Sequence, residues 1–422
     1  MRRRTRTAGV MAVLLALLNG LAVSPQSAGF WDDSGKLMDD WTFRERKLSA
    51  VDNASQGHRS MFSWDTYFFN CGAFPALSKI LAAYKIDRVY QDIPLAYFET
   101  QELPDMVGRM ASRNIQVAAL AGDRRWPEEG LDAYKAWIDA LHAYNQDHPS
   151  LRIPAVALDV ESYTLSSFKE DPAAGFAAYA KCMEEAYQYA RQRDLRVIQV
   201  IPTNLDTIDR GQFEWFLEHC CDEISIMNYY KDTELAAIWN EVLACRQRGI
   251  PVETIFETMP VNSYYSVTKE KTYFYSGARS LANAVKEMEE AYGSSLGIGY
   301  HHFETMYHVY SNLYLARVYP YAKSEKDGDQ NGQIEVGGQI KLRSPSGAVV
   351  DAWLSPPNWK SSAAEYCYLA VGAQLNTNYS VLLSDGDYRV TTTRPLRFKK
   401  ENGKVAYSES FHAELEDSSR KK

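Results

Sequence analysis

From residue 59 to residue 318 the chain alternates between two hydrophobic periods. Short runs place apolar residues at every second position, and longer runs between them repeat every three or four. The short runs predict strands at residues 59–67, 88–93, 116–121, 153–163, 196–201, 223–230, 252–257 and 296–300. The longer runs predict helices at 74–84, 103–113, 131–144, 172–193, 212–220, 234–248 and 278–292, with a last helix inside 303–318. Asp171-Pro172 is a good helix start, and Gly249 and Gly293 are natural stops. Eight strand–helix units in succession over roughly 260 residues match a (β/α)₈ TIM barrel. A doubly wound open sheet is the competitor. It is disfavoured by the count of eight and by the lack of a Gly-rich phosphate loop after any strand.

The run Ile153-Pro-Ala-Val-Ala-Leu-Asp-Val-Glu-Ser-Tyr163 is the most informative. Read as a strand, it sends Pro154, Val156, Leu158 and Val160 one way, and Ala155, Ala157, Asp159 and Glu161 the other. Small residues followed by two acids fit a barrel strand. The small ones face the crowded interior, and the acids emerge at the carboxyl end, where such barrels keep their active sites. The plainer alternative is that the two acids only cap a loop or pair with a base.

Beyond residue 333 the period becomes two throughout, with Asp385-Gly386 and Asn402-Gly403 as hairpin signals. The expected organisation is a leader over 1–28, a barrel over 40–320, a polar linker over 321–333 and a small β-sandwich over 334–415. The leader expectation rests on Arg2, Arg3, Arg4 and Arg6 followed by an apolar core from Val10 to Val23. It implies a secreted or cell-surface protein, with an uncleaved membrane anchor as the alternative. Removing it takes the formal net charge from -8 to -12. An acidic exported chain is a poor partner for nucleic acid or anionic lipid. No integral membrane association is expected after removal, and a monomer is expected. The six cysteines lack metal-site spacing, and export makes one or two disulfides an expectation.

If the barrel forms, its site is built from residues at the strands' carboxyl ends. Those residues are rich in acids, amides and rings: Trp64, Asp65, Tyr67, Gln91, Asp92, Asp123, Arg124, Trp126, Tyr163, Asn204, Asp206, Asn228, Tyr229, Tyr230, Glu257, Tyr300, His301, His302 and Glu304. Amides and acids bind hydroxyls and rings cover apolar sugar faces, so a carbohydrate ligand is expected. Trp64, Asp92, Trp126, Tyr163, Asn228, Tyr230, Tyr300 and His301 are the candidate substrate contacts. Glycoside hydrolysis needs a protonated carboxyl for the leaving oxygen and a second group for the developing positive charge. Asp159 and Glu161 would stand about 6.5–7 Å apart between Cα atoms if both were strand residues. Like charges at that range push one pKa up, with Glu161 as general acid and Asp159 assisting. No cofactor and no metal is expected. Adjacent strand residues face opposite ways, so at most one of His301 and His302 can serve a site at the mouth.

Asp159-Val-Glu161 with Met227-Asn-Tyr229 resembles the chitinase-like family 18 glycosidases. Their strand four carries Asp-x-x-Asp-x-Asp-x-Glu, and their strand six carries Met-x-Tyr. The resemblance implies that Glu161 is the acid, Asp159 the assisting Asp and Tyr229 the contact to a substrate N-acetyl group. Pro154 and Ala157 stand where that family has its two earlier Asp residues. Tyr230 replaces an Asp, and Tyr300-His-His stands where a Trp is expected.

Two further readings stay open. One is a retaining glycosidase with Glu161 as acid on strand four and Glu257 as nucleophile on strand seven, although Val160 fills the place where an Asn usually precedes the acid. The other is a non-catalytic barrel that binds carbohydrate or cell wall, favoured by the missing Asp at position 157.

Overall fold

The computed structural model describes residues 57–322, 334–355, 366–384, 388–392, 394–401, 404–406 and 408–415. The leader, most of the expected linker and both hairpin dipeptides lie outside these residues. Strands β1 (Arg59–Ser63), β2 (Arg88–Asp92), β3 (Gln116–Ala121), β4 (Ala155–Leu158), β5 (Arg196–Pro202), β6 (Glu223–Met227), β7 (Val252–Glu257) and β8 (Gly297–His301) form a closed parallel barrel in sequence order. β8 returns to β1 with Met61 opposite Tyr300, so the (β/α)₈ expectation is met.

Its principal helices are α1 (Phe74–Ala83), α2 (Glu102–Ala111), α3 (Asp132–Asp147), α4 (Pro172–Arg191), α5 (Arg210–His219), α6 (Trp239–Gln247), α7 (Gly277–Tyr292) and α8 (Phe303–Ser311). Local chemistry sets several boundaries. The Asp171 carboxylate accepts from the Ala174 N–H at the start of α4, and Asp209 does the same for Gln212 at the start of α5. The left-handed turn at Asn312 (φ 54°) closes α8.

Alternation along β4 sorts its side chains as its sequence demands. Val156, Leu158 and Val160 join the large core between barrel and helices, while Ala155 and Ala157 join the interior. The strand itself is shorter than expected. It ends at Leu158, and Glu161 already caps a 3₁₀ turn over Ser162–Thr164. β1 likewise stops at Ser63, and Thr66–Phe69 is helical.

The floor of the barrel is polar. Arg88 and Glu223, the first residues of β2 and β6, form a buried ion pair at 2.5 Å. Tyr90 donates to Glu253 at 3.2 Å. Gly299 leaves the room these groups need, since a Cβ there would lie 2.9 Å from Glu253 Oε1 and from Ser60 Oγ. Burial, ahead of any neighbouring charge, pushes the Glu253 carboxyl up to about 7.

Residues 314–320, counted with the barrel on sequence, instead begin the second unit. Strand β9 (Tyr314–Ala322) pairs with β12 (Tyr368–Ala373) and with β17 (Ser408–Leu415). Together with β10 (Gln339–Arg343), β11 (Val349–Leu354), β13 (Ser380–Leu383) and β14 (Tyr388–Val390) they make one seven-stranded mixed sheet, in the order β13-β10-β11-β12-β9-β17-β14. A short ribbon of β15 (Lys399–Glu401) and β16 (Lys404–Ala406) accompanies it. The sheet curls until β13 and β14 approach each other, around Val318, Ile340, Leu342, Tyr368 and Phe411. The expected β-sandwich is met in part, as one curled, barrel-like sheet. It is also fastened to the barrel. Asn70 donates to the Trp353 and Leu354 carbonyls, and Gly72 leaves the space that the Trp353 ring occupies.

The disulfide expectation is not met, for none of the six cysteines is joined in a disulfide among the described residues. Cys220, Cys221 and Cys245 fill the barrel–helix core as small apolar groups.

Between the ordinary Glu range and pH 7, folded Glu253 keeps a proton that the unfolded chain has released. Stability therefore falls as pH rises across that window, by roughly 3 kcal/mol at most. Glu253→Gln should flatten this dependence. Denaturant unfolding at pH 5 and pH 8 checks it, and equal slopes for the two proteins would contradict it.

Candidate active site

At the carboxyl end of the barrel, the chain after β4 turns inward. The Asp159 N–H donates to the Ala121 carbonyl at 2.9 Å, which extends the β3–β4 ladder by one bond. Gly122 makes this approach sterically feasible, since a Cβ there would stand 1.9 Å from the Asp159 carbonyl oxygen. The chain then curls into the 3₁₀ turn that begins with Glu161.

Asp159 is shielded, and its Oδ1 has no hydrogen-bond partner among the described residues. Burial first, and the Glu161 carboxylate second, push its pKa up to about 7, against a smaller opposite pull from His301. Glu161 is better served: the Tyr163 hydroxyl donates to its Oε1 at 2.6 Å. That hydroxyl also lies 3.9 Å from Met227 Sδ, which links the ends of β4 and β6. Burial, and then the carboxylates around it, raise the pKa of Tyr229 far above the ordinary phenol value, so its hydroxyl stays protonated.

The opposite wall comes from β1, β7 and β8. His301 is held at both ring nitrogens. Trp64 Nε1 donates to its Nε2 at 3.2 Å, and its Nδ1 faces the Glu257 carboxylate at 3.1 and 3.2 Å. An indole N–H can only donate, so Nε2 carries the lone pair and the Nδ1 proton points at Glu257. Burial opposes a charge on His301, yet the Glu257 carboxylate and then the Asp159 and Glu161 charges raise its pKa on balance. A second proton there would require the Trp64 N–H to turn away. Glu257 is only 2% exposed and also accepts from the Met259 N–H at 2.7 Å. The Tyr229 ring lies 6.0 Å from the His301 ring, which closes the circle back to β6.

The fold therefore brings together Trp64, Asp159, Glu161, Tyr163, Tyr229, Glu257 and His301. Other sequence candidates make different contacts. Tyr300 points outward into the helix layer against Tyr84 and Phe256. Trp126 packs on Tyr134 of α3. Asn228 is buried and spends its amide on the Glu234 carbonyl and the Thr254 hydroxyl. Tyr230 is half-buried, and its carbonyl accepts from the Thr233 N–H. Asp92 is half-buried at the end of β2, where its carbonyl accepts from Gln91. His302 caps α8.

A second group at the rim includes a residue that sequence reasoning missed. Arg317, on β9, pairs with Asp65 at 3.0 Å and donates to the Tyr67 hydroxyl at 2.7 Å. Glu304 lies beside them, its carboxyl pushed up to about 7 mainly by burial. The only available signal was the period-two pattern of residues 314–322, which marks a strand where a helix was expected.

Among the described residues no group of three or more His, Cys, Asp or Glu could hold a metal ion, and no helix is long and apolar enough to cross a membrane.

No family model matches the chain, and no curated protein matches its sequence. Similar solved structures include a GH18 chitinase from Pseudoalteromonas aurantia, at 11% identity over 58% of this chain and 95% of the other, TM-score 0.38. A GH18 chitinase variant from Cycas revoluta in complex with (GlcNAc)4 shares 9% identity over 60% and 97% of the two chains, TM-score 0.39. The glycoside hydrolase domain of PelA from Pseudomonas aeruginosa shares 12% over 60% and 96%, TM-score 0.32.

Gly122→Ala should force β3 and the Asp159 backbone apart and destabilise the chain by about 1–3 kcal/mol, as overpacking does. Denaturant unfolding measures this; an unchanged midpoint would contradict the close approach described.

Proposed function

We propose that the chain is a glycoside hydrolase whose chemistry is carried by the Asp159–Glu161 pair. The observation behind this reading is the shielded Asp159 carboxyl, raised to about 7 beside a second carboxyl at the mouth of a barrel. Two such groups share one proton at neutral pH, and the titration belongs to the pair. Glu161 gives that proton to the glycosidic oxygen. The C–O bond electrons leave with this oxygen, and positive charge grows at the anomeric carbon. Asp159 then takes up part of the negative charge left on the pair, and a water that attacks the sugar returns a proton to Glu161.

Tyr163 fixes the Glu161 rotamer through its hydrogen bond. The Tyr229 hydroxyl, kept protonated, is a donor to a substrate oxygen. The resemblance of strands four and six implies that this oxygen belongs to an N-acetyl group, so N-acetylated sugars are the first substrates to try. Burial of Glu257 and its two bonds, to His301 and to Met259, support a positioning role rather than that of nucleophile. Trp64 and His301 then form a wall for the sugar ring. We also propose export of the chain, on the strength of its basic and apolar leader.

Hydrolysis of a broad oligosaccharide panel tests this, with thermal unfolding as the control for each variant. Glu161→Gln should lose about 10²–10⁴-fold in kcat, the usual contribution of general acid catalysis. Glu257→Gln should lose less. Equal losses with azide rescue of the Glu257 variant would make Glu257 the nucleophile. No turnover by the wild type on any sugar, with binding intact, would leave a binding protein.

The pair keeps its proton up to pH about 7, so the rate should fall as pH rises through that value. Asp159→Asn removes the carboxyl whose pKa is raised to about 7, so the limb near that pH should be lost. A pH–rate profile with no limb near 7, or one that Asp159→Asn leaves in place, would contradict the proton-sharing pair.

A further inference from the structure

The curled sheet carries a cleft of ≈ 360 Å³ that begins two residues along β9 from the rim residue Arg317. Tyr319 and Tyr321 line it, alternating with the buried Val318 and Pro320 and on the same side of the strand as Arg317. Their Cα atoms stand about 7 Å apart along the strand. Ser408 and Ser410 of the parallel neighbour β17 line the same cleft, with Ser410 directly opposite Tyr319. The remaining lining residues are charged: Arg397, Lys399 and Glu409.

Arg397 and Lys399 alternate with the buried Leu396 and Phe398, and both are exposed. Neither makes an ion pair among the described residues, whereas Glu409 faces Arg394 at 3.7 Å. Two unmatched cations thus face a cleft in a chain whose formal net charge is -8. Rings, hydroxyls and cations in one concave surface match the apolar faces, hydroxyls and negative groups of one ligand class.

We propose that this cleft binds an acidic oligosaccharide, a sugar chain bearing carboxylates or sulfates. The class of ligand rests on the carbohydrate reading of the barrel. The placement adds a physical link, because the strand that carries Tyr319 and Tyr321 also sends Arg317 to Asp65 and Tyr67 at the barrel rim. A glycan held in the cleft is therefore held on a strand that is itself bonded to the barrel rim, which raises its local concentration near the Asp159–Glu161 pair.

The test measures binding to the full chain carrying Glu161→Gln, so that nothing is turned over. The probes are an oligogalacturonate, a sulfated chondroitin oligosaccharide, a neutral chito-oligosaccharide and a single-stranded oligodeoxynucleotide. One or both acidic sugars should bind, and which of them does identifies the anionic group. Their affinity should fall with added salt. Arg397→Ala/Lys399→Ala should weaken them by about tenfold or more with an unchanged thermal midpoint.

Acidic sugars that bind no better than the neutral one would overturn the proposal. So would a double variant that binds them unchanged, or an oligonucleotide that outcompetes them. Hydrolysis is scored separately, with Glu161 intact, on short neutral substrates. Acidic-sugar binding in a chain that hydrolyses nothing would sink only the glycosidase reading, and hydrolysis without such binding would sink only the cleft.

Discussion

Two neighbouring carboxyl groups, one of them shielded from water, cannot both be charged at low cost. This constraint organises the mouth of the barrel. Asp159 is carried inward on a backbone that touches Gly122, and Glu161 follows on the next turn. Desolvation and mutual repulsion leave the pair holding a proton near neutrality. The surrounding groups accommodate that state: Tyr163 bonds to Glu161, Tyr229 stays a donor, and His301 is pinned at both nitrogens so that its ring does not swing into the acids.

The floor of the same barrel handles buried charge differently. There Arg88 and Glu223 neutralise each other, and Glu253 stays protonated among hydroxyls. Both ends leave buried polar atoms without a partner among the described residues: Ser60 Oγ, Arg88 Nε and Glu253 Oε2 at the floor, Asp159 Oδ1 at the mouth. An unsatisfied buried oxygen costs stability unless something binds there. What differs is the neighbour: Glu223 has the Arg88 cation beside it, whereas Asp159 has a second carboxyl, and that is the physical ground for placing chemistry at the mouth.

Much of this was legible in the sequence, and the remainder was not, for specific reasons. Alternation along residues 154–160 gave the faces of β4 correctly, because small and large residues cannot exchange places between a crowded interior and a helix layer. It did not show that the strand ends at Leu158, since Asp159 and Glu161 continue the pattern by eye while the backbone turns. In β8 the glycines at 297 and 299 mark the inner face, and His301 follows them. Tyr300 is on the other side, so choosing it as a contact because it is aromatic and near a strand end ignored the alternation. Trp126 was chosen on the same ground and instead covers α3. The bonds of His301 to Trp64 and Glu257 join three distant strands, and no local pattern encodes them. Arg317 was hidden because Leu315, Ala316 and Val318 fit a continued helix as well as a strand, and only the left-handed turn at Asn312 separates the two.

The most direct measurement of the central claim is the protonation of the pair itself, followed by isotope-edited infrared spectroscopy on chain labelled at its aspartate carboxyl carbons. The account predicts one aspartate titrating near pH 7, absent in Asp159→Asn and moved to lower pH in Glu161→Gln. If every aspartate titrates in the ordinary range, or the high one survives in Asp159→Asn, the carboxyls do not share a proton and the account of the mouth is wrong.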